Sequence, residues 1–233
     1  MRHFVVLPGM HGTTELMDDF QRAAPGDAHV ELVALPAQLS GYSELASALG
    51  STIRLTPDSI LIAESFSGPL AILLAERVGV AALILCNTFA KAPYFGAFAL
   101  LPLSLLVRIP PPSFLIRYFV IGTGAPGSMV SQVKKVLEHV PAEVLAERTR
   151  SVLHVDVTHQ LSRVTSPILC LHGTHDHLVR RWSLNAIVRA ATVPVAIAEI
   201  DAPHLLLKTS PREAWIAIET FLDARLAGDA QRG

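Results

Sequence analysis

Short apolar runs that end in turn residues alternate along the chain with segments of helical periodicity. Six of these runs predict strands, at residues 4–7, 29–35, 60–63, 82–86, 168–172 and 195–200. Between and after them the spacing predicts helices over residues 42–49, 69–78, 182–190 and 211 to about 226. This alternation is typical of an α/β fold with a mostly parallel sheet and helices on both faces.

Residues 91–153 interrupt the alternation. They contain three consecutive prolines, Pro110 to Pro112, followed by a glycine-rich turn and two helix-like segments. Between residues 129 and 140 the apolar positions fall at helical spacing. We therefore expect residues 1–90 and 154–233 to form the core, with residues 91–153 inserted as a helical cap.

The composition supports a single large apolar core, because 51% of the 233 residues are hydrophobic and only 17% are charged. The mean hydropathy of +0.43 raises the question of a membrane segment. The two longest stretches without charge, residues 92–107 and 118–133, hold sixteen residues each. A spanning helix needs about 20, and prolines or glycines break both stretches, so no transmembrane helix is predicted.

Two further classes are disfavoured by the sequence. Nineteen basic and twenty acidic residues leave no positive excess of the kind that binds nucleic acid. The apolar run at residues 4–7 is shorter than the roughly 7 to 15 residues of a signal peptide's apolar region, so we expect a cytoplasmic protein. The two cysteines, Cys86 and Cys170, lie in apolar runs, which indicates buried thiols rather than a disulfide.

A serine stands at the junction of the third strand and the helix that follows. A sharp strand-to-helix turn exposes its central side chain and requires small residues two positions to either side. Those positions around Ser65 hold Ala63 and Ser67, whereas the usual pattern is Gly-x-Ser-x-Gly; Gly68 comes one position later. Two interpretations of Ser65 stay open at this point, a catalytic nucleophile or a simple helix N-cap.

A nucleophilic serine needs a histidine base, and the base needs a carboxylate that orients it. Asp176 follows the fifth predicted strand, and His204 follows the sixth, 28 residues further on. The carboxyl ends of parallel strands form the edge where open sheets carry their sites. The chain order serine, acid, histidine is therefore consistent with a triad of Ser65, Asp176 and His204.

These motifs together resemble those of the α/β-hydrolases, specifically the small enzymes that carry a cap. Residues 7–12, Leu-Pro-Gly-Met-His-Gly, resemble the family's oxyanion loop, although Pro8 stands where histidine is common. Residues 173–179 resemble the acid loop and residues 202–204 the histidine loop. The resemblance implies that Met10 and Phe66 supply the backbone N–H groups of an oxyanion hole. The size and layout are similar to those of the pimeloyl-carrier methyl ester carboxylesterases.

We expect from this resemblance a serine hydrolase that cleaves an ester or thioester without a cofactor. The expected partner is a small ester or acyl substrate, and the apolar cap favours an apolar acyl group. Amide or carbon–carbon bond cleavage and cofactor-free perhydrolysis use the same triad and stay open. The alternative is a catalytically silent protein of the same fold that binds a ligand or a partner, which the non-glycine positions Ala63 and Ser67 favour.

Two other cofactor patterns occur in the sequence. His172, His175 and His177 beside Asp176 have spacing short enough to share a metal, but no second ligand cluster accompanies them. Residues 122–127 match Gly-x-Gly-x-x-Gly, the dinucleotide fingerprint, but a proline occupies the turn and no βαβ unit frames it. We expect neither a metal nor a dinucleotide site.

Three residues compete with the predicted triad. Ser67 is a second serine in the same turn, but a small packing residue is needed at its position. Asp156 is the strongest rival as the acid, yet it precedes the fifth strand and is expected to cap a short helix. Asp201 lies only three residues from His204, which is poor geometry for the orienting carboxylate.

Overall fold

The computed structural model describes residues 2–93 and 111–230. In this part of the chain six strands form one sheet in the order β2-β1-β3-β4-β5-β6, and every neighbouring pair is parallel. The strands are β1 (Arg2–Leu7), β2 (Ala28–Leu32), β3 (Ser59–Glu64), β4 (Ala82–Cys86), β5 (Ile168–Gly173) and β6 (Val195–Ile200). The central strands are buried on both faces, which is why they are apolar without alternation.

The helices connect these strands. They are α1 (Asp18–Arg22), α2 (Tyr42–Thr52), α3 (Ser67–Val78), α4 (Ser113–Ile116), α5 (Gly127–Glu138), α6 (Ala142–His154), α7 (Thr158–Leu161), α8 (Arg181–Ala190), α9 (Leu206–Thr209) and α10 (Pro211–Ala230). A π-helical turn, Arg117–Ile121, continues α4. None of the helices in the described ranges is long and apolar enough to cross a membrane.

Helices cover both faces of the sheet, as the sequence predicts. On one face α2, α3 and α8 pack against the strands, with buried residues such as Leu61, Leu70 and Ile187. On the other face α1, α9 and α10 do so. There the Trp215 ring stacks on Phe20 at 4.5 Å between ring centroids, and its indole N–H donates to the Phe20 carbonyl oxygen at 2.8 Å.

The two ends of the segment between β4 and β5 meet beside the sheet. Lys91 and Asp156 form an antiparallel bridge, and the Ala92 N–H donates to the Val155 carbonyl oxygen at 2.8 Å. Helices α4, α5 and α6 lie between these ends. Side chains from α4, α5 and the π-helical turn form a separate apolar cluster together with Leu16 and Leu205. Its members from this segment are Ile116, Ile121, Val130, Val133 and Val136.

Some predicted boundaries differ from the structure. The second strand ends at Leu32 rather than at residue 35 because the chain then leaves the sheet, and the Leu35 N–H donates to the Gly12 carbonyl oxygen instead. Both cysteines are buried and unpaired, as predicted. Most of the first charge-free stretch and part of the predicted cap, residues 94–110, lie outside the described residues. The division into a core and a cap stays a prediction.

Candidate active site

The turn that carries Ser65 is sharp. Strand β3 ends at Glu64 and helix α3 begins at Ser67, so only two residues separate the two elements. Ser65 adopts a left-handed conformation with φ 54°, which is unusual for a residue other than glycine, and its N–H donates to the Cys86 carbonyl oxygen at 2.9 Å. Phe66, not Ser65, occupies the N-cap position of α3. The interpretation of Ser65 as a simple N-cap is therefore wrong.

Small residues around this turn are required by its neighbours. A Cβ atom on Gly68 would lie 2.0 Å from Thr88 Oγ1, and the Thr88 hydroxyl itself donates to the Ser65 carbonyl oxygen. The Ser67 hydroxyl donates to the Pro8 carbonyl oxygen, which ties the turn to the loop after β1. Ser67 thus has a structural partner, in agreement with its predicted packing role.

The structure brings Ser65, His204 and Asp176 together in one hydrogen-bonded chain. The distance between Ser65 Oγ and His204 Nε2 is 2.8 Å, and the distance between His204 Nδ1 and Asp176 Oδ2 is also 2.8 Å. The side chain of His204 is 6% exposed and that of Asp176 is fully buried. Water therefore competes little for these hydrogen bonds.

The surroundings of Asp176 fix the tautomer of His204. The backbone N–H groups of Leu178 and Val179 donate to Asp176 Oδ1 at 2.8 and 2.9 Å. The second oxygen of the carboxylate is left to accept the Nδ1–H of His204. The Nε2 atom then presents its lone pair to the Ser65 hydroxyl, which is the arrangement that a general base needs.

Asn87, just beyond the end of β4, holds the acid and histidine loops together. Its amide nitrogen donates to the carbonyl oxygens of Pro203 and His204 at 3.0 and 2.8 Å. Its amide oxygen accepts the Gly173 N–H at 2.7 Å. A Cβ atom on Gly173 would lie 2.5 Å from the Ala202 carbonyl oxygen, so only glycine permits this close approach of the two loops.

A second carboxyl group, Glu64, is buried beside the triad. Its Oε1 accepts the Leu207 N–H at 3.1 Å. Burial raises the pKa of Glu64 to about 7, although the charge of His204 opposes the shift. Burial alone would lower the pKa of His204, but the charge and hydrogen bond of Asp176, with the charge of Glu64, raise it above the ordinary value.

The loop after β1 lies against Ser65 and is anchored by a cation from α6. The buried guanidinium of Arg148 donates to the carbonyl oxygens of Met10, Pro36 and Leu39 at 2.7, 3.0 and 3.2 Å. Among the described residues, no acceptor pairs with the backbone N–H of Met10 or of Phe66. Within this part of the chain, both predicted oxyanion donors keep their hydrogen-bonding capacity.

The competing candidates have other partners in the structure. Asp156 accepts the N–H and hydroxyl of Thr158, the first residue of α7, at 3.1 and 2.6 Å. Asp201 is exposed, and its Oδ1 lies 2.8 Å from His175 Nε2. Within the described ranges no group of three or more potential metal ligands occurs, the histidines near Asp176 included. Residues 122–127 form a turn that leads into α5.

Sequence reasoning missed Glu64, Asn87 and Arg148. Glu64 and Asn87 share a signal that could have found them, because each is a polar residue at the carboxyl end of an otherwise apolar strand. Arg148 gives no such signal. Its hydrogen bond to Met10 joins residues 138 positions apart. In the sequence, nothing distinguishes Arg148 from Arg150 on the same helix.

Comparisons with solved structures identify the fold. An esterase from Exiguobacterium antarcticum matches with a TM-score of 0.81 and 14% identity over 96% of this chain and 92% of that chain. A hydrolase from Oleispira antarctica matches with a TM-score of 0.80 and 12% identity over 96% and 91% of the two chains. An esterase from Thermogutta terrifontis matches with a TM-score of 0.76 and 18% identity over 96% and 90%.

These similarities define the class of fold. The chain has the α/β-hydrolase fold, with a parallel sheet and helices on both faces. No protein-family model and no curated protein sequence matches it. At identities of 12 to 18%, the agreement concerns the fold, and the function is argued from the site itself.

Proposed function

We propose that this protein is a serine hydrolase that cleaves a carboxylic ester or thioester through an acyl-enzyme intermediate. One observation carries the proposal, the hydrogen-bonded chain from Ser65 through His204 to Asp176 with 2.8 Å at each contact. Such a chain lets a neutral serine hydroxyl lose its proton as it attacks. Esterases and hydrolases among the structures that share the fold are consistent with this chemistry.

In the first half of the reaction, Ser65 Oγ attacks the carbonyl carbon and its proton passes to His204 Nε2. The carbonyl π electrons move onto the oxygen, and the backbone N–H groups of Met10 and Phe66 hold the resulting anion. Each such donor is typically worth about 3 to 4 kcal/mol in the transition state. The anion then collapses, and the leaving alkoxide or thiolate takes the proton from His204.

In the second half, a water molecule attacks the acyl group on Ser65 and gives its proton to His204 Nε2. Collapse of the second tetrahedral intermediate returns the proton to Ser65 Oγ and releases the carboxylic acid. Asp176 stabilises the imidazolium that forms in each half. The side chains of the triad thus perform every proton transfer.

An apolar acyl group is the substrate class that the surroundings favour. The Leu205 N–H, one residue beyond His204, donates to the Val120 carbonyl oxygen at 2.9 Å, so the π-helical turn lies close to the triad. That turn belongs to the apolar cluster formed with α4 and α5. We propose that these helices act as the cap over the acyl group. A series of p-nitrophenyl esters tests this, since faster cleavage of acetyl than of medium-chain esters would contradict it.

A fluorophosphonate probe tests the nucleophile directly. We expect the wild-type protein to be labelled, and we expect Ser65→Ala to lose both labelling and esterase activity. Ser47→Ala, which changes an exposed serine on α2, is the matched control and should label as the wild type does. Labelling that survives in Ser65→Ala would overturn the assignment. A folded wild-type protein that neither labels nor hydrolyses any ester would favour the silent ligand-binding alternative.

A further inference from the structure

The loop after β1 buries a histidine that the proposed mechanism does not use. His11 follows Met10, and its side chain is buried although the residue lies in a loop. The backbone turns tightly here, because the Gly12 N–H donates to the Gly9 carbonyl oxygen at 3.0 Å. A Cβ atom on Gly9 would lie 3.6 Å from both Cδ2 and Nε2 of His11, so the imidazole edge faces Gly9.

Its hydrogen bonds fix which nitrogen of His11 carries the proton. The Thr13 N–H donates to Nδ1 at 3.2 Å, so Nδ1 must present a lone pair. A neutral imidazole with an acceptor at Nδ1 carries its hydrogen on Nε2. Burial, with a smaller contribution from the positive charge of Arg148, lowers the pKa of His11 to about 4. Near neutral pH the side chain is therefore an uncharged Nε2–H donor.

This donor has no acceptor in the described part of the chain. Nε2 of His11 is fully buried and forms no hydrogen bond there. An unpaired buried donor costs about 1 to 3 kcal/mol of folding free energy, so such groups are rare unless a ligand satisfies them. The fold tolerates this cost in the loop that packs against the proposed nucleophile.

Gly9 lies next to both the imidazole of His11 and Ser65. The position of a Cβ on Gly9 lies 3.6 Å from His11 Nε2 and 3.9 Å from Ser65 Cβ. Among the described residues, these are the nearest neighbours of that point besides Gly9 and the two residues next to it in the chain. His11 and Ser65 therefore both lie on the side of Gly9 toward which a Cβ would point. The next residue, Met10, carries one of the two proposed oxyanion donors.

We propose that His11 is a catalytic residue whose Nε2–H is the third hydrogen-bond donor to the oxyanion. The inference rests on the proposed hydrolase function and deepens it. A neutral imidazole suits this task because it donates a hydrogen bond without giving up its proton, so the oxygen stays an anion until the intermediate collapses. The interaction strengthens as negative charge develops, so it acts mainly on kcat rather than on KM.

Two substitutions distinguish the effect of the Nε2–H donor from the effect of the ring's shape. His11→Phe keeps a flat ring and removes both nitrogens, and His11→Gln places an amide N–H near the position of Nε2. With p-nitrophenyl butyrate we expect His11→Phe to lower kcat about a hundredfold, with KM changed by less than about threefold. His11→Gln should recover at least tenfold of that loss. His159→Phe, at an exposed histidine on α7, is the matched control and should behave as the wild type.

A transition-state analogue gives a second readout that a structural role would not move. A trifluoromethyl ketone forms a tetrahedral adduct with the serine, and we expect His11→Phe to weaken its binding by the same factor as kcat. In the wild-type protein the Nε2–H proton resonance of His11 should shift downfield when the ketone binds. This resonance is measured in the wild-type protein, so it tests the role of His11 even if His11→Phe does not fold.

Ser65→Ala is compared with the wild type first, so that the two proposals can fail separately. If hydrolysis and labelling do not depend on Ser65, the proposed function is wrong. If they depend on Ser65 but kcat in folded His11→Phe stays within about threefold of wild type, only the role of His11 is overturned. A rise in KM at unchanged kcat, or a His11 resonance that the ketone does not move, overturns it as well.

Discussion

The two halves of the candidate active site differ in how far their hydrogen bonds are satisfied. On the side of the acid and histidine loops, Ser65, His204 and Asp176 form a chain of hydrogen bonds. The Asp176 oxygen that does not contact His204 accepts two backbone N–H groups. On the side of the loop after β1, the Met10 N–H and the Nε2 of His11 have no acceptor among the described residues.

This difference corresponds to two tasks. Groups that transfer a proton must hold each other at a fixed distance before the substrate arrives, and a satisfied network does so. Groups that bind a developing charge must keep their hydrogen-bonding capacity free, which costs folding stability. The unsatisfied loop cannot position itself through those groups, and Arg148 instead holds it through the Met10 carbonyl oxygen.

The largest expected effect comes from Asp176→Asn, which disrupts the hydrogen-bonded chain of Ser65, His204 and Asp176. The asparagine amide would donate to His204 Nδ1, which places the proton on Nε2, and the imidazole could no longer accept the proton of Ser65. We expect kcat for an ester substrate to fall by about 10⁴ while the protein stays folded. Steady-state kinetics and circular dichroism measure the two quantities.

Asp201→Asn is the control for this substitution, because Asp201 is the rival acid nearest His204 in sequence and pairs with the exposed His175. Its kcat should match that of the wild type. A large loss in Asp201→Asn with little loss in Asp176→Asn would mean that the hydrogen bond from His204 to Asp176 does not serve the reaction.

A smaller effect is expected from Arg148→Met, which removes the anchor of the unsatisfied half. Three carbonyl oxygens lose their donor, and each buried group left unpaired costs about 1 to 3 kcal/mol. We expect the free energy of unfolding to fall by about 2 to 5 kcal/mol, together with a loss of kcat as the Met10 N–H moves. Urea denaturation and kinetics at a temperature where the variant is folded provide the test.

Arg150→Met changes an exposed arginine on the same helix, where its partner is Glu147. This control should unfold at the same urea concentration as the wild type. If Arg148→Met and Arg150→Met unfold at the same urea concentration, the hydrogen bonds of Arg148 do not stabilise the fold.

The smallest effect is a shift in pH dependence when Glu64→Gln removes the charge beside the triad. His204 must be neutral to accept a proton, so activity falls as the pH drops through its pKa, which lies above the ordinary value. Because Glu64 helps to raise that pKa, its removal should move the acidic limb of kcat/KM to lower pH.

Removal of an exposed carboxylate is the control for Glu64→Gln. Glu76→Gln disrupts a surface pair with Arg163 and should leave the acidic limb in place. A limb that moves to higher pH in Glu64→Gln, or that moves equally in both variants, would contradict the proposed action of Glu64 on His204.

The strands could be predicted because buried parallel strands form nearly continuous apolar runs, and this signal is local. All six predicted strands are confirmed within a few residues. The proximity of Ser65, Asp176 and His204 followed from their places after three strands, because parallel strands bring their carboxyl ends to one edge. Their catalytic roles stay predictions.

The sequence by itself determined the α/β class and the residues that can form a proton relay, since both depend on patterns within short segments. Only the tertiary structure decided that His11 is buried, with no partner for Nε2 in residues 2–93 and 111–230, and that Arg148 contacts Met10, 138 positions away in the sequence. Burial and hydrogen-bond partners depend on which distant segments pack together, and no local pattern encodes that. The burial of His11 and the contact of Arg148 with Met10 are therefore properties of the fold rather than of any motif.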